Sequence, residues 1–278
     1  MSNAVVEIEA GQRFRFGENW KRFLRTITDE SILVAKRSIT EFMGLEDLTG
    51  RKVLDIGSGS GLFSLAARGL GAEVVSFDYD PQSVACTRKL RERYFPEDTR
   101  WRITEGSVLD EGFLQSLGRF DVVYSWGVLH HTGGMWKAIA NAAALVRDGG
   151  YFFIGIYDDR GRTSRNWRRV KKTYCSGTAG RMMVSGVFIP YFFVRTLLSV
   201  VRRRRNRFAE YKRNRGMSMV HDWVDWLGGY PFEVARADEV FEFCRTKGFR
   251  LVNLKTPGGS SGVNEFLFVR EGSGASGS

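Results

Sequence analysis

Short apolar runs alternate along the chain with stretches whose apolar residues recur every three to four positions, and this alternation predicts most of the elements. Runs at Lys52–Ile56, Glu73–Asp78, Trp101–Glu105, 120–125 and 150–157 carry β-branched and aromatic residues and read as strands. Helical spacing occupies 62–70, Pro81–Tyr94, 109–117 and 135–146 between them. Ahead of the first strand, Ile32, Ala35, Ile39 and Phe42 recur at helical spacing behind the start signal Asp29-Glu30-Ser31. Strands separated by helices of this length predict a parallel α/β sheet with right-handed crossovers. Near the C-terminus a helical stretch at 239–247 precedes two strand-like runs, FRLVNLKTP and GVNEFLFVR, joined by a Gly-Ser turn at 258–262. So short a turn predicts an antiparallel hairpin at the sheet edge. The final EGSGASGS reads as a flexible tail.

Composition adds bounds. With 278 residues, 43% apolar and 26% charged, the chain suits one large domain carrying an insertion. No N-terminal stretch has the basic-then-apolar order of a secretory leader, and no uncharged apolar run reaches about 18 residues, so a soluble, cytoplasmic protein is expected. Cys86, Cys175 and Cys244 are odd in number and form no CxxC pair, which argues against a disulfide framework or a zinc ribbon. The net charge of +11 is local: between Arg160 and Arg215 seventeen Lys or Arg face one acid, Glu210, while the remainder of the chain is net acidic.

The first strand ends in VLDIGSGSG, with glycines at 57, 59 and 61 and Leu62 where a dinucleotide fingerprint needs its third glycine. The turn keeps the close backbone approach that glycine permits, but its spacing argues against a pyrophosphate as the main guest. Four further segments follow in order: VVSFDYD, EGSVLD, FDVVYSWGVLHH and LVRDGGYFFIGIY. Together with the closing hairpin, they resemble the class I S-adenosylmethionine-dependent methyltransferases over nearly the whole chain. SWGVLHHTG, FRFGENW and DWLGGYPFEVA further resemble the bacterial ubiquinone-type hydroxyphenyl O-methylase group. The resemblance implies a seven-stranded, doubly wound, Rossmann-like sheet, mostly parallel with an antiparallel C-terminal hairpin, and a basic insertion after the fifth strand. The expected divisions are an N-terminal helical segment (1–50), a cofactor-binding core (51–157), the insertion as a lid (158–235), a C-terminal helix and hairpin (236–270) and the tail (271–278).

The same resemblance implies the cofactor, S-adenosyl-L-methionine, and its contacts. Gly57, Ser58, Gly59 and Gly61 would lie against its methionine end, with Asp55 accepting from the ammonium group. Asp78, seventeen residues after Gly61, would accept the ribose hydroxyls, and Tyr79 would cover the adenine. Gly106-Ser107-Val108 stands where the family has Gly-Asp, so Ser107 replaces the acid that meets the adenine amine. Ser125 and Trp126 complete the expected wall. Each position also has a plain structural reading: a tight turn, Asp78 as the cap of the helix beginning at Pro81, Tyr79 as packing.

For the acceptor, Ser125-Trp126-Gly127 replaces the Asn/Asp-Pro-Pro-aromatic turn associated with amine and amide methylation, and no cysteine stands nearby for cytosine chemistry. The fourth strand leads instead to Val128-Leu129-His130-His131-Thr132. An imidazole, with an ordinary pKa near 6.5, is a suitable base for a hydroxyl nucleophile. His131, beside Thr132-Gly133-Gly134, is the favoured candidate and His130 the second; either could instead cap a helix or pack under the insertion. No metal is expected. His130 and His131, adjacent on an extended segment, would point apart, although one of them with His221 and Asp222 or Asp225 remains an alternative on ligand types alone.

Within the insertion, MMVSGVFIPYFFVRTLLSVVRRRR places an apolar stretch before four arginines. Met182 to Arg205 fits a helix lying on an anionic membrane, too short to span it. A pocket wall or dimer face is the plain alternative. RNA is the third, with Trp167, Tyr174, Phe208 and Tyr211 among the arginines. Three functions therefore stand: transfer to a hydroxyl of a small-molecule, lipid-linked or glycosidic acceptor, RNA methylation, and cofactor binding without catalysis.

Overall fold

The computed structural model describes residues 3–203, 219–258 and 262–272. Its first elements are helices α1 (Asn3–Glu9), α2 (Phe16–Phe23) and α3 (Asp29–Met43). The signal at Asp29-Glu30-Ser31 is read correctly: Thr28 caps α3 and exchanges hydrogen bonds with Ser31, and Gly44 ends the helix in a left-handed conformation. Then come β1 (Lys52–Ile56), α4 (Leu62–Gly69), β2 (Glu73–Asp78), α5 (Pro81–Tyr94), β3 (Trp101–Glu105), α6 (Glu111–Gln115), β4 (Phe120–Trp126), α7 (Met135–Ala144) and β5 (Val146–Tyr157). β5 begins four residues before the predicted run. A register shift between Phe120 and Val122 of β4 accommodates the Asp148-Gly149-Gly150 stretch, which lay at the junction of the expected helix and strand.

The sheet order is β3-β2-β1-β4-β5-β7-β6, with β1 to β5 parallel. After α11 (Ala237–Thr246), β6 (Phe249–Lys255) takes the edge and β7 (Val263–Arg270) runs antiparallel to both neighbours, as the closing hairpin predicted. Strand alternation sends Leu54, Ile56, Val123 and Ile154 to the α7/α11 face, while Val53, Val122, Tyr124 and Phe153 pack toward α3 and α4. The strand order reverses between β1 and β4. Ligands of such sheets lie at this crevice, beyond the carboxyl ends of the strands.

The insertion leaves and returns at one neck, where Asp158 bridges Ala235 and the Ala235 amide donates to the Tyr157 carbonyl (3.0 Å). It carries α8 (Arg162–Cys175), α9 (Thr178–Arg203) and α10 (Met219–Gly228), packed around Tyr174, Cys175, Val184 and Leu227. Residues 204–218, which include Arg204, Arg205, Phe208 and Tyr211, lie outside the described residues, as do the side chains of Arg202, His221, Asp222 and Asp225. The sequence reading took the apolar segment from Met182 to the arginines as too short to span a membrane; α9 begins earlier, at Thr178. That expectation is corrected: Thr178–Leu198, with a single Arg at 195 inside its last turn and Arg181 in its first, is long and apolar enough to cross a membrane by length and composition.

Candidate active site

The turn after β1 is built for close contact. Gly57, Gly59 and Gly61 all take positive φ, and a Cβ at Gly57 would meet Val128 Cγ1 at 2.4 Å, while one at Gly59 would meet the Trp20 ring at 2.9 Å. The amides of Gly57 and Ser58 donate to the Phe77 carbonyl (2.8 and 3.1 Å), Gly61 donates to the Ser58 carbonyl (2.8 Å), and Gly59 donates to Asp78 Oδ2 (2.9 Å). A pyrophosphate would need such amides free. Here all four are engaged within the protein, which agrees with the glycine spacing in arguing against a pyrophosphate as the main guest.

Asp78 ends β2, and its Oδ1 accepts from the Asp80 amide (2.9 Å). The cap of α5 is Asp80, which accepts from the amides of Gln82 (2.9 Å) and Gly17 (2.8 Å). Asp78 is therefore left at the end of the strand, half-buried beside the glycine turn. Burial pushes its carboxyl up to about 6. Beside it the Tyr79 hydroxyl donates to Glu7 Oε1 (3.0 Å), and the Arg13 guanidinium stands 4.8 Å from the Tyr79 ring centre. Arg13 also pairs with Glu7 (2.8 Å) and donates to the His131 carbonyl (2.8 Å). It thus links the end of β2 to the histidine turn. Sequence reasoning missed Glu7, Arg13 and Trp20; the only signal was the aromatic FRFGENW segment, and no spacing rule joins Arg13 to a turn 118 residues away.

Several expected contacts face inward. Asp55 is buried toward α4, where Ser64 donates to it at the end of a chain running from Trp101 Nε1 through Ser76 Oγ (2.8 Å) to Ser64 Oγ (2.7 Å). Burial raises its carboxyl to about 7. The Ser58 hydroxyl bonds Thr87 (2.9 Å), and the fully buried Ser125 donates to the Ile56 carbonyl (3.1 Å). The Val108 side chain lies in the core while its carbonyl accepts from Asn141 (2.9 Å). For these four residues, direct side-chain contact with a ligand gives way to support of the turns from behind, because backbone alternation aims their side chains inward. Ser107 Oγ accepts the Leu109 amide (3.1 Å), and Trp126 packs over Gly155, where a Cβ would come within 2.7 Å of its ring.

The histidines do not sit on an extended segment. They occupy a 3-10 turn, Leu129–His131, with their rings 4.5 Å apart rather than pointing apart. His131 Nδ1 lies 2.6 Å from the Pro231 carbonyl. A carbonyl only accepts, so Nδ1 carries the proton and Nε2 is the ring's acceptor. His130 has the opposite arrangement: its Nδ1 accepts from the Tyr157 amide (3.3 Å), and its buried Nε2 has no hydrogen-bond partner among the described residues. Burial lowers both, His131 to about 3 and His130 well below its ordinary value. Both rings are thus neutral at physiological pH, unlike the group titrating near 6.5 that the sequence suggested. All three cysteines are free and buried, and burial raises Cys86 and Cys175 to about 11 and Cys244 to about 12, far from a thiolate nucleophile. Among the described residues no group of three or more His, Cys, Asp or Glu is placed to hold a metal.

The insertion closes on this turn. Besides Pro231, the Glu233 amide donates to the His130 carbonyl (2.9 Å), Glu233 Oε2 accepts from the Met135 amide (3.1 Å), and Arg168 donates to the Phe232 carbonyl (2.9 Å). Lys171 is fully buried; it donates to the Trp226 carbonyl and lies 4.1 and 4.8 Å from the ring centres of Trp226 and Phe232. Rings continue inward, with Trp226 to Tyr157 at 5.4 Å, Tyr157 to His131 at 5.6 Å and Phe16 to His131 at 5.2 Å.

A doubly wound sheet with a glycine turn after β1 and an acid closing β2 defines the Rossmann-like methyltransferase class. Residues 29–218 match the model of a methyltransferase domain family. The chain belongs to this family, whose members use S-adenosylmethionine. It is similar to a ubiquinone biosynthesis O-methyltransferase of Methylobacterium sp., 35% identical over 126 residues, covering 45% of this chain and 47% of the relative. It is also similar to a tRNA U34 carboxymethyltransferase of Methylococcus capsulatus, 32% identical over 118 residues, covering 42% and 36%. The matches thus span about half or less of the curated relatives' length. Among solved structures, magnesium protoporphyrin IX methyltransferase from Synechocystis shares the fold at a TM-score of 0.54 and 13% identity, over 91% of this chain and 94% of that one.

The residues at the crevice fit a cationic cofactor. Asp78 supplies negative charge beside a turn whose amides are engaged, with Asp55 buried behind the turn, and burial raises the two carboxyls to about 6 and about 7. The sign follows. The cation needs the ionised carboxylates, so S-adenosylmethionine affinity should rise with pH through about 6 to 7 and then level off. Below that window it should fall by up to about tenfold per pH unit for each proton taken up. S-adenosylhomocysteine, without the sulfonium charge, should show a shallower slope. Because both folded pKa values exceed the unfolded value of 3.8, the free protein should also lose stability as pH rises from about 4 and level off above about 6 to 7, and bound cofactor should offset that loss. Calorimetry at several pH values checks the first point and thermal melts check the second; equal slopes for the two ligands would remove the carboxylates from cation binding.

Proposed function

We propose that the protein is an S-adenosylmethionine-dependent methyltransferase that transfers the methyl group to a hydroxyl oxygen of an aromatic, lipid-linked or other small-molecule acceptor. The observation that carries this reading is the His131 tautomer. A ring with Nδ1–H held by the Pro231 carbonyl presents an unprotonated Nε2 at the carboxyl end of β4, in the turn whose Val128 lies against Gly57. When bound, the cofactor supplies an electrophilic methyl on a sulfonium. His131 Nε2 takes the hydroxyl proton, and Pro231 stabilises the imidazolium through Nδ1–H. Asp78, with Tyr79 beside it, holds the ribose and adenine end, while Gly57, Gly59 and Gly61 admit the methionine end. His130, which receives the Tyr157 amide and is buried on every side, supports the turn instead of acting as the base.

The rings of Phe16, Tyr157, Phe232 and Trp226 about the histidines suit a planar hydroxylated acceptor. In this reading the protein works on the cytoplasmic side of a membrane, held at its periphery. The basic insertion and the resemblance to a tRNA carboxymethyltransferase support RNA as the second reading. Incubation with cofactor labelled in its methyl group and fractionated extract tests both. Label in an organic-extractable, base-stable ether is expected. Label in RNA overturns the hydroxyl-acceptor reading, and tight cofactor binding without transfer to any fraction overturns catalysis itself.

A further inference from the structure

Helix α9 is apolar on both sides. Its inner side, with Val184, Phe188, Ile189 and Phe192, packs on Trp167 and Tyr174 of α8 and Val224 and Leu227 of α10. Its outer side is covered by no described residue: Met183, Val187, Tyr191, Val194, Leu197 and Leu198 are each about half or more exposed, from 49% to 70% with Met182 included. Positions 183, 187, 194 and 198 form one stripe at the helical repeat, and no charged residue falls within it. An exposed apolar strip of this length marks an interaction surface.

Charge decides the occupant. Arg162, Arg165, Arg169 and Lys172 are exposed on the neighbouring α8, Arg181 and Arg195 lie on α9 outside the stripe, and the sequence continues into arginines 202 to 205. A second copy would bring seventeen basic residues against seventeen, a like-charge juxtaposition that disfavours self-association. RNA would meet an apolar strip with no donors to offer its phosphates. An anionic bilayer meets both features, burying the stripe among acyl chains and pairing the flanking cations with headgroups. The inner side of α9 is occupied by α8 and α10, so the helix meets lipid along one face and lies in the interface; crossing would require lipid on all sides.

We propose that the outward face of α9 docks on an anionic membrane surface, setting the lid that holds His131 against the lipid from which the acceptor arrives. Only the acceptor's route rests on the hydroxyl-transfer reading; the docking face stands without it. The lid is continuous with the site, since Trp167 contacts Phe188 of α9 (5.2 Å) and Trp226 of α10 (5.6 Å), and α10 leads directly to Pro231.

Flotation of the full chain with vesicles of phosphatidylcholine, alone or mixed with phosphatidylglycerol, tests the proposal. Binding is expected to rise about tenfold or more with the anionic lipid and to fall as salt shortens the screening length. Val187→Glu with Leu198→Glu should reduce it about tenfold or more, as charge is placed in the buried stripe. Val252→Glu, at an exposed apolar position on β6, should leave it unchanged. Replacing residues 202 to 205 by Ser should remove the preference for anionic vesicles. Cofactor affinity and melting temperature should stay as in the parent, which separates loss of docking from loss of fold. Equal binding to both vesicle types, no binding, or binding that survives the double substitution overturns the proposal. A concentration-dependent dimer abolished by the same pair would assign the face to a second copy. Failure to transfer methyl to any hydroxyl, with vesicle binding intact, would sink the acceptor reading and leave the docking face standing.

Discussion

Replacing His131 by Ala is expected to cut kcat by about 10²-fold, the lower end of the 10²–10⁴ range for a lost general base, while S-adenosylmethionine affinity stays within about twofold. The lower end follows from burial. A ring held near 3 in the free site is a weak base, and alignment of nucleophile, methyl and sulfur supplies much of the acceleration without it, roughly 7–11 kcal/mol. The pH profile discriminates between roles. With its pKa near 3, His131 gives kcat no rising limb at pH 6 to 7.5, so kcat should be flat from about pH 5 upward. A limb in kcat/KM at about 6 belongs to Asp78 and should persist in the variant. His131→Asn is the companion, because its amide can donate to the Pro231 carbonyl as Nδ1 does but cannot accept a proton. If Asn restores kcat, the histidine holds the turn and is not the base. If Ala loses kcat only through unfolding, the unpaired Pro231 carbonyl, worth about 1–3 kcal/mol, should show as a lowered melting temperature that Asn recovers.

The sheet was legible because each of its signals is local. Alternation marks β1, β2 and β3 to the residue, and the two capped starts of α3 and α5 lie where Thr28 and Asp80 precede them. On the side proposed for the cofactor, the glycine turn and the place of Asp78 at the end of β2 were legible, since each is fixed by one strand. Side-chain direction at Asp55, Ser58, Val108 and Ser125 was not, because strand and turn geometry aims each of them into the protein and no family motif records which way it points. Three further features depend on segments remote in sequence. The His131 tautomer is set by Pro231, a hundred residues on. The cover over Tyr79 comes from Glu7 and Arg13, and the low pKa of the histidines comes from burial, to which insertion residues such as Pro231 contribute from a place that pattern reasoning cannot fix. The histidine turn itself was misread as extended because Val128-Leu129-His130-His131 continues the apolar run of β4, while the positive φ of Gly127 ends the strand.

Asp78 carries the second large effect, and here affinity and stability should part company. Asp78→Ala removes the acceptor proposed for the ribose and frees the Gly59 and Asp80 amides that its carboxylate now holds. The expected loss in S-adenosylmethionine affinity is about 1.5–3 kcal/mol, or about 10- to 150-fold, the scale of charged hydrogen bonds. Because Ala also loosens the glycine turn, Asp78→Asn is the sharper variant. Asn keeps the shape and one acceptor, so the Asp80 amide can stay bonded, but it has no charge and turns a second donor toward Gly59. In the free protein the ionised carboxyl is itself a burden, since burial has raised it from 3.8 to about 6. At pH 8 removing that charge relieves a strain comparable with the hydrogen bond lost to Gly59, so the two changes roughly offset and the melting temperature of free Asp78→Asn should move by only a few degrees. Its affinity for the cofactor should still fall about tenfold or more, and the rise of affinity through pH 6 should flatten. A carboxylate serving only the turn would behave in the opposite way, with Asn losing stability and keeping affinity. Calorimetry and melts on the same preparation separate the two outcomes, and unchanged affinity in a folded Asn variant would take Asp78 out of the cofactor site.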